Sequence, residues 1–264
     1  MLCTTFSGRL PASYAVEPKL DGVRVLVHLN PRLKTVAFKT RNGRDLPSLN
    51  HLKAEVLAFV GQSIKGDVIL DAEATCGGLS FFDSVGTLRG ASKPALGAIL
   101  TVFDFIHAFH DCQKRREVLE AGVVDQPSVH LITRKVGNPD VEAEFKAALE
   151  AGFEGVIIKD LASDYQTGER SGAWQKMKQE ETHDCRVVAV TECSTQKGRI
   201  GSLTVDFNGV EVSVGSGFRS DRQRRELWEA RESILGGLVE VGCHMVTPNG
   251  SMRHPRLVKV RADK

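Results

Sequence analysis

The sequence predicts an α+β domain of mixed and antiparallel sheets followed by a small all-β barrel, and three observations carry that prediction. In the first two thirds of the 264 residues, short β-branched and apolar runs alternate with segments of helical period. After residue 183 the texture shifts to closely spaced strands with a single helix among them. Between the two lies the charged stretch KQEETH, residues 178–183, which has no large apolar side chain. The domains are accordingly placed at residues 1–180 and 181–264.

Residues 23–29 (VRVLVHL) and 35–40 (TVAFKT) read as two strands, and the turn signal Asn30-Pro31 makes them a hairpin. Residues 49–60 read as a helix, because Leu49, Leu52, Val56, Leu57 and Val60 share one face at helical spacing. Strands follow at 67–74, 98–106, 129–132 and 154–160. QKRREVLEAG (113–122) and PDVEAEFKAALEAG (139–152) read as helices, the second opening after Asn138-Pro139 and stopping at Gly152. A hairpin combined with crossovers favours α+β over a doubly wound sheet. In the second domain, strands at 185–193, 202–207 and 210–216 precede a helix at 220–235, and strands at 238–246 and 256–262 follow. Three strands, a helix and two strands in about eighty residues is the order of a five-stranded OB barrel, a module that often grips oligonucleotides.

Composition narrows the function without fixing it. The chain is 41% hydrophobic and 26% charged, and 35 Lys plus Arg against 33 Asp plus Glu leave a net charge of only +2. Any nucleic-acid partner must therefore be held by local clusters rather than by a global basic field. No apolar run approaches the roughly 20 residues needed to cross a bilayer. The N-terminal MLCTTFSGRLPASYAV also lacks the sustained apolar core of a secretory signal, so a cytoplasmic location is expected. The six cysteines form no C-x-x-C pair, a spacing poor for zinc and ordinary for reduced thiols. The eight histidines show no H-E-x-x-H pattern, and His28, His107 and His183 read as core or surface residues.

The stretch VEPKLDGVRV, residues 16–25, admits two readings. Asp21-Gly22 is a common hairpin signal with Lys19 and Arg24 as solvated flanks; alternatively Lys19 is a reactive amine beside a phosphate-binding arginine. Other strand ends carry polar groups that apolar alternation does not explain: Glu73, Asp104, Glu154, Lys159, Lys176 and Lys178. Lys176 and Lys178 are two residues apart, so on a strand they share a face. Lysines, an arginine and carboxylates so placed are what a nucleoside triphosphate with a divalent cation requires: positive charge for phosphates and hard oxygen ligands for the metal.

With these residues in view, the sequence resembles the ATP-dependent DNA ligases of the covalent nucleotidyltransferase superfamily. Lys19-Leu20-Asp21-Gly22-Val23-Arg24 matches the family's K-x-D-G-x-R, and TRNG (40–43), DAE (71–73), VFDF (102–105), EGVIIK (154–159), WQKMK (174–178) and RADK (261–264) match the further motifs in order. The C-terminal TPNGSMRHPRLVKVRADK resembles the end of the small bacteriophage and bacterial ligases. Only eighteen residues precede Lys19, so the separate N-terminal DNA-binding domain of larger ligases is expected to be missing.

The resemblance implies an adenylation domain followed by an OB-fold domain, and a three-step reaction with ATP as AMP donor and Mg²⁺ or Mn²⁺ as metal. Lys19 would attack the α-phosphate, AMP would pass to the 5′-phosphate of a nick, and the 3′-hydroxyl would displace it. An ordinary lysine, with a pKa of about 10.4, is protonated at neutral pH and cannot attack, so its surroundings must favour the free amine. By the same resemblance Asp21 belongs to the catalytic motif, Phe103 stacks on adenine, Glu17 meets the adenine edge, and Glu73 binds ribose or metal. Arg24 and Arg170 hold ribose and phosphate, Arg41 contacts the 5′-phosphate of the nick, and Lys159, Lys176 and Lys178 face the nucleotide. Glu154 is the first metal-ligand candidate, and Arg261 and Lys264 reach the β- and γ-phosphates. Thr40 stands where serine is commoner. The implied partner is nicked double-stranded DNA encircled by a monomer in a bacterial cell or phage-infected host. Its contact surface would include Arg41, Arg44, Arg89, Lys93, Lys197, Arg199, Arg222, Arg224 and Arg225, although RQRR equally reads as a solvated helix face. RNA ligases and mRNA-capping guanylyltransferases share the lysine motif and stay open as alternatives, as does a non-catalytic OB-fold nucleic-acid-binding protein.

Overall fold

Blocks of alternating apolar residues give the first part of the chain two sheets that present polar side chains to each other. The computed structural model describes residues 1–60, 66–77, 79, 81–107 and 110–261, and the chain divides into the units Met1–Lys178 and Gln179–Lys264. The strands of the first unit are β1 (Leu2–Thr5), β2 (Tyr14–Lys19), β3 (Val23–Asn30), β4 (Thr35–Thr40), β5 (Val68–Cys76), β6 (Ala98–Phe105), β7 (Val129–Leu131), β8 (Gly155–Asp160) and β9 (Arg170–Lys178). One sheet has the order β4-β3-β5-β6-β7 and the other β1-β9-β8-β2. The β6–β7 and β1–β9 pairs are parallel, and the remaining ladders of both sheets are antiparallel.

In the larger sheet Val23, Val25, Val27 and Leu29 line one face of β3 and pack with Leu70, Ala72 and Ala74 of β5 and Leu100 and Val102 of β6. Helix α1 (Lys53–Val60) covers this core with Val56, Phe59 and Val60, and α2 (Phe81–Arg89) and α3 (Cys112–Gly122) add Leu88 and Leu119. In the smaller sheet Tyr14, Val16, Val156 and Ile158 pack under α4 (Val141–Glu150). The faces left over carry Arg24 and Glu73 on one sheet and Glu17, Lys19 and Lys159 on the other, and these line one cleft.

Local signals explain most element ends. Asp111 caps α3 by accepting from the Lys114 amide, and Asp140 caps α4 by accepting from Glu142 and Ala143. Gly152, at φ +84°, ends α4 in the left-handed conformation that glycine tolerates. Two expectations for this unit need correction. The helix expected over 49–60 opens as a 3₁₀ turn, Pro47–Leu52, and becomes α-helical only from Lys53. Asp21-Gly22 is not a hairpin, because β2 and β3 lie in different sheets and the chain crosses between them there. Strands β1 and β2 and helix α2 have no counterpart in the periodicity reading.

The second unit contains β10 (Glu181–Glu192), β11 (Ile200–Phe207), β12 (Val210–Val214), α5 (Asp221–Glu229), α6 (Arg231–Ile234), β13 (Leu238–Cys243), β14 (Met245–Val246), β15 (Met252–Arg253) and β16 (Arg256–Val260). Its five-stranded antiparallel sheet runs β12-β11-β10-β13-β16 around a core that includes Val187, Ile200, Leu203, Val205, Val239 and Val241. Among the described residues the two edges meet at one parallel bridge, Ser216 to Arg256, where the Leu257 amide donates to the Ser216 carbonyl at 2.9 Å. The charged stretch is mostly strand: β10 starts at Glu181, held by pairing of residues 181–183 with β13, which leaves Gln179 and Glu180 between β9 and β10. The expected helix over 220–235 breaks at Ala230, and the strand expected over 238–246 stops at Cys243 before the small β14–β15 ribbon. No helix among the described residues is long and apolar enough to cross a membrane.

The seam at Ser216 depends on its neighbour. Gly217 sits at φ +89°, and a Cβ there would lie 2.2 Å from the Leu257 carbonyl oxygen; Gly209, at φ +84°, has open space around it. Both alanine variants carry backbone strain, but only Gly217→Ala also forces β16 away. Urea unfolding is expected to show Gly217→Ala destabilised by about 1–3 kcal/mol more than Gly209→Ala; equal losses would show that the bridge at Ser216 adds nothing to stability.

Candidate active site

The register of β2 on β8 builds one wall of the cleft. Lys19 stands opposite Gly155, Glu17 opposite Ile157 and Ala15 opposite Lys159, so Glu17, Lys19, Ile157 and Lys159 share the face turned from α4. Gly155 is required there: a Cβ would meet the Met177 carbonyl oxygen at 2.1 Å. Gly22 is required on the other side of Lys19, where a Cβ would come within 2.2 Å of the Ala74 carbonyl oxygen. The glycine of the K-x-D-G-x-R run therefore serves close strand approach rather than a hairpin. Its amide donates to Glu73 Oε1 at 3.2 Å, tying the crossing to β5.

The opposite wall comes from β3, β5 and β6. The β5–β6 ladder slips between Asp71 and Ala72, so that Asp71 pairs with Asp104 while Ala72 pairs with Val102, and Phe103 is the additional residue. Such a bulge re-aims side chains: Phe103 lines the cleft, and Asp104 turns to a bidentate pair with buried Arg115 at 2.8 and 3.1 Å. Phe103 meets Trp174 of β9 edge to face, with centroids 6.1 Å apart. The enclosed space is about 240 Å³, lined also by Leu20, Ile132, Ile157 and Trp174.

Three of the cleft's cations, Lys19, Arg24 and Lys159, are paired with carboxylates. The Lys19 ammonium bonds the Glu154 carboxylate, and both side chains are about one fifth exposed. Lys159 and Glu17 form a buried pair at 2.7 Å, and Lys159 Nζ also donates to the Phe103 carbonyl at 2.9 Å and sits 4.4 Å from the Trp174 ring centroid. Burial opposes the Lys159 charge, but Glu17 and Asp104 outweigh it and hold this ammonium above the usual lysine range. Arg24 donates to both Asp71 oxygens at 2.8 and 2.5 Å, to the Met1 carbonyl at 2.6 Å and to the Tyr165 hydroxyl at 3.1 Å. Tyr165 in turn donates to Asp71 at 2.6 Å. Among the described residues no cation is bonded to Glu73 in this way, and burial pushes its carboxyl up to about 8 against the pull of Lys19 and Arg24.

The structure thus brings together Glu17, Lys19, Arg24, Arg41, Glu73, Phe103, Lys159, Arg170 and Lys176 on one cleft, with Glu154 bonded to Lys19. Arg41 is presented by the TRNG turn, where the Thr40 hydroxyl accepts from the Arg44 amide at 3.1 Å and Gly43 takes φ +80°. Thr40 makes this contact through its hydroxyl, the group it shares with serine. Arg41 and Arg89 also share a shallower hollow with Glu73. Arg170 donates to the Cys3 carbonyl. Lys178 lies at the end of β9 on the face of Lys176, beyond the cleft lining, and Asp21 stands in the crossing segment. Arg261 bonds Asp184 at 3.1 Å and Glu240 at 3.3 Å within the second unit, and Lys264 lies outside the described residues.

Two of the arginines expected to meet DNA have other work. Arg224 donates to the Ile200, Gly201 and Gly215 carbonyls and packs over Phe218, anchoring α5 on the sheet, and Arg199 pairs with Asp221 at 2.8 Å. Arg44, Arg89, Lys93, Lys197, Arg222 and Arg225 are exposed. Sequence reasoning missed Asp71 as the Arg24 partner, Tyr165 and the Arg115–Asp104 pair. The one available signal was the acid two residues before Glu73 on the same strand face.

Glu73 gives the cleft a pH signature. A carboxyl raised to about 8 in the folded chain from 4.5 when unfolded keeps a proton that the unfolded chain releases. Stability should therefore fall as pH rises through that window and level off above it. Glu73→Gln has no such proton, so its denaturation midpoint relative to the parent is expected to climb between about pH 5 and pH 8. A constant difference over that range would show that Glu73 is ionised in the folded chain.

Comparison with known proteins identifies the family. The family described as ATP dependent DNA ligase domain matches residues 3–178, and that described as DNA ligase OB-like domain matches residues 195–261. A probable DNA ligase of Kineococcus radiotolerans is 32% identical over 214 residues, covering 77% of this chain, and one of Nocardioides sp. is 33% identical over 245 residues, covering 86%. The chain spans 41% of the length of each of these relatives. A solved structure described as Pmar-Lig_Pre. superposes with a TM-score of 0.78 at 26% identity, over all of this chain and 67% of that one. A Lig E DNA ligase superposes with a TM-score of 0.74 at 22% identity over 99% of this chain and 98% of its own, a likeness of fold. With the ligase domain matched over more than half of its length, the chain belongs to the ATP-dependent DNA ligase family.

Proposed function

We propose that this protein seals nicks in duplex DNA, joining a 5′-phosphate to a 3′-hydroxyl at the expense of ATP through a lysyl-AMP intermediate. The observation that carries the reading is Lys19 at the cleft, bonded to Glu154 and backed by Phe103, Trp174 and the buried Glu17–Lys159 pair. The apolar rings suit a base, and Lys159 and Glu17 offer a fixed polar edge beside it. Family membership speaks against the guanylyltransferase and the non-catalytic binding module.

In the first step the Lys19 amine attacks the α-phosphorus, a P–N bond forms and pyrophosphate leaves. Lys19 must first lose its proton and part from Glu154. Lys176 lies on the same cleft, where its charge can follow the phosphate, and Lys178 extends that row along β9. AMP then moves to the 5′-phosphate of the nick, for which Arg41 and Arg89 line an open hollow beside Glu73. Displacement of AMP by the 3′-hydroxyl completes the seal. Arg170 is assigned to ribose or phosphate. Arg261 and Lys264 are assigned to the departing pyrophosphate, which requires Arg261 to exchange Asp184 and Glu240 for phosphate.

The residues fit a magnesium ion. Glu154 and Glu73 supply hard carboxylate oxygens on either side of Lys19, and Mg²⁺ usually takes one or two carboxylates together with substrate phosphates. When bound it would neutralise phosphate charge and draw Glu154 from Lys19. We assign the DNA partner as nicked duplex held by a monomer in the cytoplasm, gripped through phosphates and so without base preference.

Incubation with α-labelled ATP and Mg²⁺ should label the parent chain and leave Lys19→Ala unlabelled. Lys19→Arg should fail equally, since a guanidinium stays protonated. Label on Lys19→Ala would overturn the reading. Glu154→Gln keeps the size of the side chain and removes its charge, and it should fold normally while losing adenylylation. Unchanged Mg²⁺ dependence in that variant would make Glu154 structural.

A further inference from the structure

Away from the cleft, strand register brings three metal-donor side chains of different chemistry to one end of the second unit's core. Glu181 of β10 pairs with Cys243 of β13, and His183 pairs with Val241. Residues two apart on a strand share a face, as do directly opposed residues. Glu181, His183 and Cys243 therefore continue the inward row formed by buried Cys185 and Val187 on β10 and by Val239 and Val241 on β13. One donor atom from each of the three lies within 4.8 Å of the other two, and Glu181 Oε2 is 3.4 Å from His183 Nε2.

Two further features suit a ligand. His183 Nε2 is shielded from solvent and makes no aligned hydrogen bond among the described residues, an arrangement that costs free energy unless something binds it. The imidazole is also held in place, tilted against Phe207 with centroids 4.8 Å apart. Cys243 is buried, whereas Glu181 is exposed, so the group opens toward solvent on its carboxylate side.

We propose that Glu181, His183 and Cys243 bind a transition-metal dication of the Zn²⁺ class, with a fourth position open to water. Thiolate and imidazole select Zn²⁺ over Mg²⁺ and Ca²⁺, the reverse of the all-oxygen preference expected at Glu73 and Glu154. On binding, the Cys243 thiol gives its proton to solvent and His183 coordinates through neutral Nε2. The metal would clip the first residues of β10 to the last residue of β13, three residues beyond Lys178.

The test uses the full chain, stripped with chelator and titrated with Co²⁺ as a spectroscopic probe. The parent should bind one equivalent with thiolate-to-cobalt charge-transfer absorption, Zn²⁺ should bleach it, and Zn²⁺ should raise the melting temperature. Cys243→Ser should lose the charge-transfer band. Glu181→Gln, an exposed position at which folding is not at risk, and His183→Gln should each weaken binding at least about tenfold. Absence of the band in the parent, or its persistence in Cys243→Ser, would overturn the proposal. So would unchanged affinity in both Glu181→Gln and His183→Gln.

Discussion

The pairing of β2 with β8 is the constraint on which the cleft depends. It fixes Lys19, Glu17 and Lys159 on one face while Tyr14, Val16, Val156 and Ile158 bury the other under α4. A slip of one residue would send every charge into the apolar layer and every valine into the cleft. The register is specified from both directions, because the apolar face has only one place to go and Gly155 admits only the close approach of β9. Lys19 is thus positioned by the hydrophobic effect acting on residues it never touches.

Three cations on this cleft are matched by carboxylates, Lys19 with Glu154, Arg24 with Asp71 and Lys159 with Glu17, and behind them Arg115 pairs with Asp104. Removing one partner of a buried pair strands the other charge and typically costs about 3–5 kcal/mol, although the intact pair adds little net stability. The Glu17–Lys159 pair lies fully inside and has a scaffold's character. Lys19–Glu154 is partly open to solvent and can separate at a smaller cost. The gradient from buried to accessible divides a pair locked in the interior from one that solvent can reach.

Much of this was legible in the sequence and some was not, for identifiable reasons. Polar groups interrupting apolar alternation mark Glu73, Glu154 and Lys176 in the sequence, and the motif resemblance marks Lys19 and Phe103; all five lie on the cleft or bonded to it. Periodicity found the β3–β4 hairpin, α3, α4 and the order of the second unit. It missed β2, whose Glu17-Pro18-Lys19 breaks any alternation, and β1, whose polar LCTT gains strand form only by pairing with β9. It misread the charged stretch 178–183 because Glu181 and His183 look solvated until β13 is laid beside them. Nothing local in the sequence points to Asp71 as the partner of Arg24, because it lies 47 residues away. Linear spacing, the criterion that passes over Cys243, is blind to donors on neighbouring strands.

Arg24 has a consequence of its own. Four of its five N–H groups are taken up by Asp71, the Met1 carbonyl and the Tyr165 hydroxyl. It reaches the cleft wall less as a hydrogen-bond donor than as a positive charge already solvated by fixed protein dipoles. Water around an exposed arginine must reorient each time charge nearby changes sign or place, and that reorientation is part of a reaction's barrier. The solvation shell of Arg24 is made of backbone, a packed ring and a buried carboxylate, so it has almost nowhere to move. Charge that develops beside it meets a field that is set before the ligand arrives.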